Sequence, residues 1–152
     1  MPTPLTPNRQ PDLRFVIASC EAVAATLRPG QLVVLESSTY PGTTRDVARP
    51  ILERGGLLAH RDFFLAFSPE REDPNNRDHV PTDIPKVVGA DAPESRDAAM
   101  HLYQTIVSRV VPVSSSRAAE ATKMLENTFR AVNIALVNEL KVAFEAMDID
   151  IR

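Results

Sequence analysis

The chain has 152 residues, 43% of them hydrophobic and 24% charged, enough for one globular domain with its own core. A formal net charge of −3 with no long run of one sign argues against a nucleic-acid or anionic-membrane partner, and no apolar stretch approaches the roughly 18 residues of a membrane span. One cysteine, Cys20, excludes an internal disulfide and a cysteine metal cluster and fits a reducing, cytoplasmic setting; the polar, Pro-rich opening from Met1 to Arg9 has no apolar core and is not a secretory signal.

Three prolines in the first seven residues exclude a helix there. Asp12 is placed to cap a helix from Leu13 to about Leu27, where Cys20 is expected to be packed and inert, and Pro29-Gly30 ends it. Leu32-Val33-Val34-Leu35 reads as a strand buried on both faces. Ser37 to Gly42 reads as a turn, and Thr43 or Thr44 as the cap of a helix running to about Arg54 and stopped by Gly55-Gly56. Phe63–Phe67 is a second buried strand. Residues 68–85 are irregular, with four prolines, and a loop of that length in a compact domain is usually functional or mobile. Lys86–Gly89 is a third strand, Pro93 to about Ile106 a helix with proline in its first turn, and Arg109–Val113 a fourth strand.

Ser114-Ser115-Ser116 supplies a cap for the last segment, from about Arg117 to Met147. There, Ala121, Met124, Leu125, Val132, Ala135, Leu136, Leu140, Ala143 and Met147 lie near one stripe. Some 30 residues span roughly 45 Å, more than a small domain needs, so this helix is expected to bridge domains or carry a subunit interface. The alternation of helices and strands argues for an open α/β layer with mostly parallel strands.

Three groups of residues carry possible chemistry. Ser37 to Thr44 follow the carboxyl end of a buried strand, where α/β sheets bind ligands, and a helix starts within the motif; the plainer reading is a turn plus a cap, which needs only Thr43 or Thr44. Ser68-Pro69-Glu70-Arg71 follows the second strand in the same way, so Glu70 is placed as a base or ligand clamp, or simply as part of a solvated charge run. Lys123 and Asn127 are four apart on the long helix, with Glu120 one turn earlier on the same face; lysine and amide together stabilise an oxyanion, or else make a polar face with an ion pair. His60, His79 and His101 have no metal-ligand spacing. No G-x-G-x-x-G occurs in the sequence.

In order and spacing, Pro2-Thr3-Pro4, Ser38-Thr39-Tyr40-Pro41-Gly42-Thr43-Thr44, Ser68-Pro69-Glu70-Arg71, Lys86-Val87-Val88-Gly89 and Glu120 through Ala131 resemble the UDP-glucose/GDP-mannose dehydrogenase family, nearest the branch acting on UDP-N-acetyl sugars. The resemblance implies an NAD-dependent double oxidation of a sugar C6 alcohol to the uronic acid, through an aldehyde and an enzyme thioester. It implies that Thr3, Ser38 and Thr39 meet the cofactor. Thr39 is also implied to help hold a catalytic water, Glu70 to act in thioester hydrolysis, Lys123 to stabilise the oxyanion, and Asn127 to bind substrate or water. Glu70, Arg71, Lys123 and Asn127 are the implied substrate contacts.

The implied architecture is an incomplete Rossmann-like parallel sheet followed by a long connecting helix, residues 1–113 being the second half of the NAD-binding domain and 114–152 the start of a dimerisation domain. The family's Gly-rich loop and catalytic cysteine have no counterpart here, and Cys20 does not match the latter. Both ends read as cuts through a larger protein, and the chain alone is expected to be inactive. Asn75-Asn76 stands where relatives carry Gly-Asn. Expected partners are a UDP-sugar and a second copy of the chain. A non-catalytic dimerising or nucleotide-binding module remains the alternative of another class. A β-hydroxyacid dehydrogenase relative, which shares the lysine–asparagine pair, fits the Tyr-Pro-Gly-Thr-Thr and Ser-Pro-Glu-Arg motifs less well.

Overall fold

A computed structural model describes residue 4 and residues 6–8, 10–70 and 84–150. Thr3, Arg71, His79 and Asn75-Asn76 lie outside the described residues.

Helix α1 spans Arg14–Ala24. Leu13, not the expected Asp12, holds the cap position, with no capping side chain of its own; Asp12, one residue earlier, accepts from the Arg14 amide at 3.0 Å and from the Arg14 guanidinium at 2.7 Å. Strand β1 (Leu32–Leu35) follows. Next comes one helical run in three pitches: a π-helical segment Thr43–Ala48, helix α2 (Arg49–Leu52), and a 3₁₀ turn Glu53–Gly55. Strands β2 (Phe64–Phe67) and β3 (Lys86–Gly89) precede helix α3 (Pro93–Gln104), strand β4 (Val110–Val113) and helix α4 (Ser116–Ala146).

The four strands form one sheet in the order β1-β2-β3-β4. β1 pairs with β2 in parallel, and so does β3 with β4. The middle pairing is antiparallel and consists of the single partnership Phe67 with Gly89. The expected run of mostly parallel strands therefore holds in two pairs that point opposite ways. The reversal has a direct consequence. Gly89 and Val113, the last residues of β3 and β4, lie level with Phe67, the last residue of β2, so α4, leaving β4, begins beside the carboxyl ends of β1 and β2.

Side chains alternate across the sheet as strand geometry requires. Leu35, Phe67 and Val87 face α1, the Thr43–Leu52 run and the start of α4, joined there by Val16, Ile51 and Ala119. Ala66 and Val88 face α3, against Ala99 and Tyr103. Leu52, Phe63 and Leu65 make a third cluster with Ala59. Burying a side chain such as Phe63 or Phe67 contributes about 1.5–3 kcal/mol. β1 departs from the reading of a strand covered on both faces: Leu32, Val33 and Val34 are half-buried, because β1 is the outer strand and pairs on one side only.

α4 can start tight against the sheet because β3 ends in glycine. A Cβ on Gly89 would lie 2.2 Å from the Ser115 carbonyl oxygen and 2.8 Å from the Ala119 methyl. The helix is capped by Ser115, whose hydroxyl accepts from the Ala118 amide at 3.1 Å. Asp91 takes the Ser116 amide and hydroxyl. Beyond its first turns α4 leaves the body. Leu125, Phe129, Val132, Leu136 and Leu140 are all exposed.

Candidate functional site

Where β1 ends, Glu36 to Thr39 run out over the edge of the sheet and the chain turns at Tyr40-Pro41-Gly42. The Thr43 amide and hydroxyl both donate to the Tyr40 carbonyl, closing the turn. Gly42 has φ +107°, a conformation that strains any residue with a Cβ, and the Asp46 carboxylate occupies the place that a Cβ would take. Two hydroxyls of this segment, those of Ser37 and Thr39, are buried and have no hydrogen-bond partner among the described residues. Buried polar atoms are nearly always paired, so two orphans within three residues mark a place where a further group belongs.

A cavity of about 480 Å³ opens beside them, lined by Val34, Glu36, Ser37, Ser38 and Glu70. Glu36 on its wall belongs to a polar cluster that also takes in Lys86 of β3 and Tyr103 of α3. Glu36 accepts from the Tyr103 hydroxyl at 2.5 Å and from Lys86 at 2.9 Å. The Lys86 ammonium lies 3.8 Å from the Glu70 carboxylate and 5.0 Å from the centre of the Tyr103 ring. Burial works to raise the Glu36 carboxyl, but the bonds from Tyr103 and Lys86 outweigh it and hold the group below its ordinary range. Burial, and then the bond to Glu36, push the Tyr103 phenol well above its ordinary value.

α4 closes the site from the other side. Glu120, fully buried, receives the Gly42 amide at 2.5 Å, the Thr44 amide at 2.8 Å and the Thr44 hydroxyl at 2.7 Å. The expected cap of this helical run, a hydroxyl of Thr43 or Thr44, is thereby corrected. Gly42 occupies the cap position with no capping side chain of its own, and the free amides are taken by a carboxylate from α4. The Thr43 hydroxyl donates backward to the turn. One turn further along α4, the Lys123 ammonium donates to the backbone carbonyl of Glu70.

Of the candidate residues, Ser38 and Glu70 line the cavity, Thr39 is adjacent with its hydroxyl buried, and Lys123 is tied to Glu70. Asn127 is exposed one turn farther along α4 and is not among the cavity-lining residues. Sequence reasoning did not assign Glu36, Lys86 or Tyr103. The signal for Glu36 was its place immediately after a buried strand; nothing local marks Lys86 or Tyr103. Glu120, placed by its spacing on the Lys123–Asn127 face of α4, is fully buried against the Gly42–Thr44 turn. Among the described residues no group of acidic, histidine or cysteine side chains has metal-binding geometry. Cys20 is buried, and that burial raises its thiol pKa.

A sheet with helices on both faces, and with polar residues gathered past the carboxyl ends of β1 and β2, defines a Rossmann-like α/β protein of the nucleotide-binding type. Comparison with known proteins makes this specific. Residues 1–107 match the NAD binding domain, and residues 117–152 the central domain, of the UDP-glucose/GDP-mannose dehydrogenase family. The chain belongs to that family. It is 40% identical over 152 residues to UDP-N-acetyl-D-glucosamine 6-dehydrogenase of Pseudomonas aeruginosa, an alignment covering 99% of this chain and 36% of that protein. The structure of UDP-D-ManNAc dehydrogenase from Pyrococcus horikoshii superposes with a TM-score of 0.85 at 34% identity, over 93% of this chain and 34% of that one. GDP-mannose dehydrogenase of Pseudomonas aeruginosa shares the fold, with a TM-score of 0.86 at 24% identity over 99% of this chain and 35% of that one. The chain thus spans about a third of the length of the relatives it matches. Among the described residues no helix is long and apolar enough to cross a membrane.

Proposed function

We propose that the chain is the strand-end and helix portion of an NAD-dependent nucleotide-sugar 6-dehydrogenase, acting on a UDP-N-acetyl sugar in the cytoplasm. The observation that carries this reading is the pair of orphaned, buried hydroxyls of Ser37 and Thr39 beside a cavity rimmed by Glu70. These residues fit a polar group laid across the strand ends. No part of the sequence fits a pyrophosphate in the Gly-rich manner, since G-x-G-x-x-G is absent. Bound NAD would supply the hydride acceptor for oxidation of an alcohol.

In this reading Ser38 and Thr39, with Thr3, meet the cofactor, and Thr39 also orients a water. Glu70 accepts a proton at its carboxylate, and Lys123 offers its ammonium to oxygen as negative charge develops there. Arg71 and Asn127 hold the substrate. Lys123 as placed donates to the Glu70 carbonyl, so its role requires that donor to be shared with, or turned toward, the reacting oxygen. We assign residues 1–113 to the cofactor domain and 114–152 to the start of a dimerisation domain. The exposed apolar length of α4 supports a homodimer.

The test is an NMR titration of the labelled chain with NAD and, separately, with UDP-N-acetylglucosamine. Amide shifts centred on Ser38, Thr39 and Glu70 are expected, with weak affinity for NAD. Shifts centred elsewhere, or none at millimolar ligand, would overturn the reading.

A further inference from the structure

Glu120 is a fully buried acidic side chain, and among the described residues it has no ion-pair partner. An ionised carboxylate away from water is costly unless its oxygens are taken up by donors. Here three donors take them, all from the segment that carries the orphaned hydroxyls: the Gly42 amide on one oxygen, the Thr44 amide and hydroxyl on the other. The two amides are those of the cap residue Gly42 and of Thr44 in the first turn of the Thr43–Leu52 run, where free N–H groups point out of the helix and favour negative charge. Glu120 thus serves as a cap delivered from a helix far along the chain. It is three residues from Lys123 on α4, and Lys123 holds the other strand-end loop through the Glu70 carbonyl. One turn of α4 therefore grips the loop after β1 and the loop after β2 at once.

We propose that Glu120 is a positioning residue, whose carboxylate locks the Thr39–Thr44 turn to α4 and so sets Thr39 in place against Glu70 and Lys123. The proposal rests on the reading of Thr39, Glu70 and Lys123 as site residues, but its content is geometric. Glu120 is not among the residues that line the cavity beside Ser37 and Ser38. A buried carboxylate with two backbone amides and a hydroxyl converging on it cannot be exchanged for an amide without conflict. Glutamine in its place brings an N–H₂ group to face donors, and one of the three bonds becomes a donor–donor contact. The turn must then move away from α4.

The experiment uses the labelled full chain without ligand, below the unfolding temperature of every variant, and compares amide spectra of the wild type, Glu120→Gln, Thr44→Val and Thr44→Ser. In Glu120→Gln the Gly42 and Thr44 amides are expected to lose the downfield shift of a bond to a carboxylate, and Ser38, Thr39 and Glu70 to shift with them. Val88 and Ala99, on the α3 side of the sheet, stay in place. Thr44→Val removes one of the three donors and sets a methyl against the carboxylate, leaves both amide bonds possible, and is expected to move the same resonances in the same direction by less; Thr44→Ser restores them. If Glu120→Gln does not fold, the threonine pair carries the test alone. Shifts confined to Gly42 and Thr44, with Thr39 and Glu70 unmoved, would reduce Glu120 to a helix cap and overturn the proposal. No ligand enters these spectra, so a failed NAD titration would count against the dehydrogenase reading alone.

Discussion

In the proposed reading, Thr39 is where stability and function oppose each other most directly. Its hydroxyl is buried without a partner among the described residues, and leaving such a group unsatisfied costs about 1–3 kcal/mol. Thr39→Val keeps the shape and removes the orphan. It is expected to raise the thermal midpoint, or leave it unchanged, while abolishing the NAD-dependent shifts at Ser38; a lowered midpoint in calorimetry would show that the hydroxyl has a partner after all. Glu36 yields a pH prediction. Its carboxyl in the folded chain sits below the ordinary value of 4.5, so the unfolded chain binds its proton more readily. The stability it contributes is full above about pH 4.5 and is lost as pH falls through the lower, folded value. Tyr103→Phe removes the bond from the phenol and is expected to flatten that acid limb in urea titrations at pH 3 to 6. The gain is modest, because Glu36 is 42% exposed and solvent screens the pair.

At the scale of elements, the junction of β3 and α4 is the least tolerant point. Gly89→Ala would set a methyl 2.2 Å from the Ser115 carbonyl, and backbone cannot yield as a flexible side chain does. Overpacking of this kind costs about 1–3 kcal/mol, so the urea midpoint is expected to fall clearly, whereas Gly55→Ala, with only the Ala24 carbonyl at 3.9 Å, changes it little. Most elements were legible from local pattern. The apolar runs at Leu32–Leu35 and Lys86–Gly89, the proline opening α3 and the serines before α4 each act within a few residues. The strand reversal between β2 and β3 was not legible, because direction is decided by how a long connection returns and leaves no periodicity behind. The cap of the Thr43–Leu52 run was misread for a similar reason: two threonines in place looked sufficient, while the carboxylate that takes the amides lies 76 residues away. Of the site, the strand-end hydroxyls and Glu70 followed from the rule that ligands gather at strand ends; Lys86 and Tyr103 come to Glu36 only through the packing of β3 and α3.

Over the whole molecule, α4 is the element out of proportion. Its 31 residues extend for roughly 46 Å, and past the first turns its apolar side chains face outward, with Leu136 and Leu140 55% and 43% exposed. The proposed homodimer covers this surface. Sedimentation at tens of micromolar is expected to give a dimer for the wild type and a monomer for Leu140→Glu; a shared monomer would refute the interface. The first turns of α4, which carry Glu120 and Lys123, lie away from Leu140, so the variant is expected to keep the NAD-dependent shifts at Ser38 and Thr39.

The grip of Glu120 on Gly42 also bears on how the chain acquires its structure. The contact joins residues 78 apart in sequence, whereas the α1 and α3 helices and the capped start of α4 need only near neighbours. Closing so long a loop costs entropy before any contact rewards it. The strand-end turn is thus finished late, after the β3–β4 pair has set the direction of α4. Its amides should then exchange with solvent through openings larger than local fraying. In native-state hydrogen exchange the Gly42 and Thr44 amides are expected to open together, at a free energy above that of fraying helix ends and below that of the most protected strands.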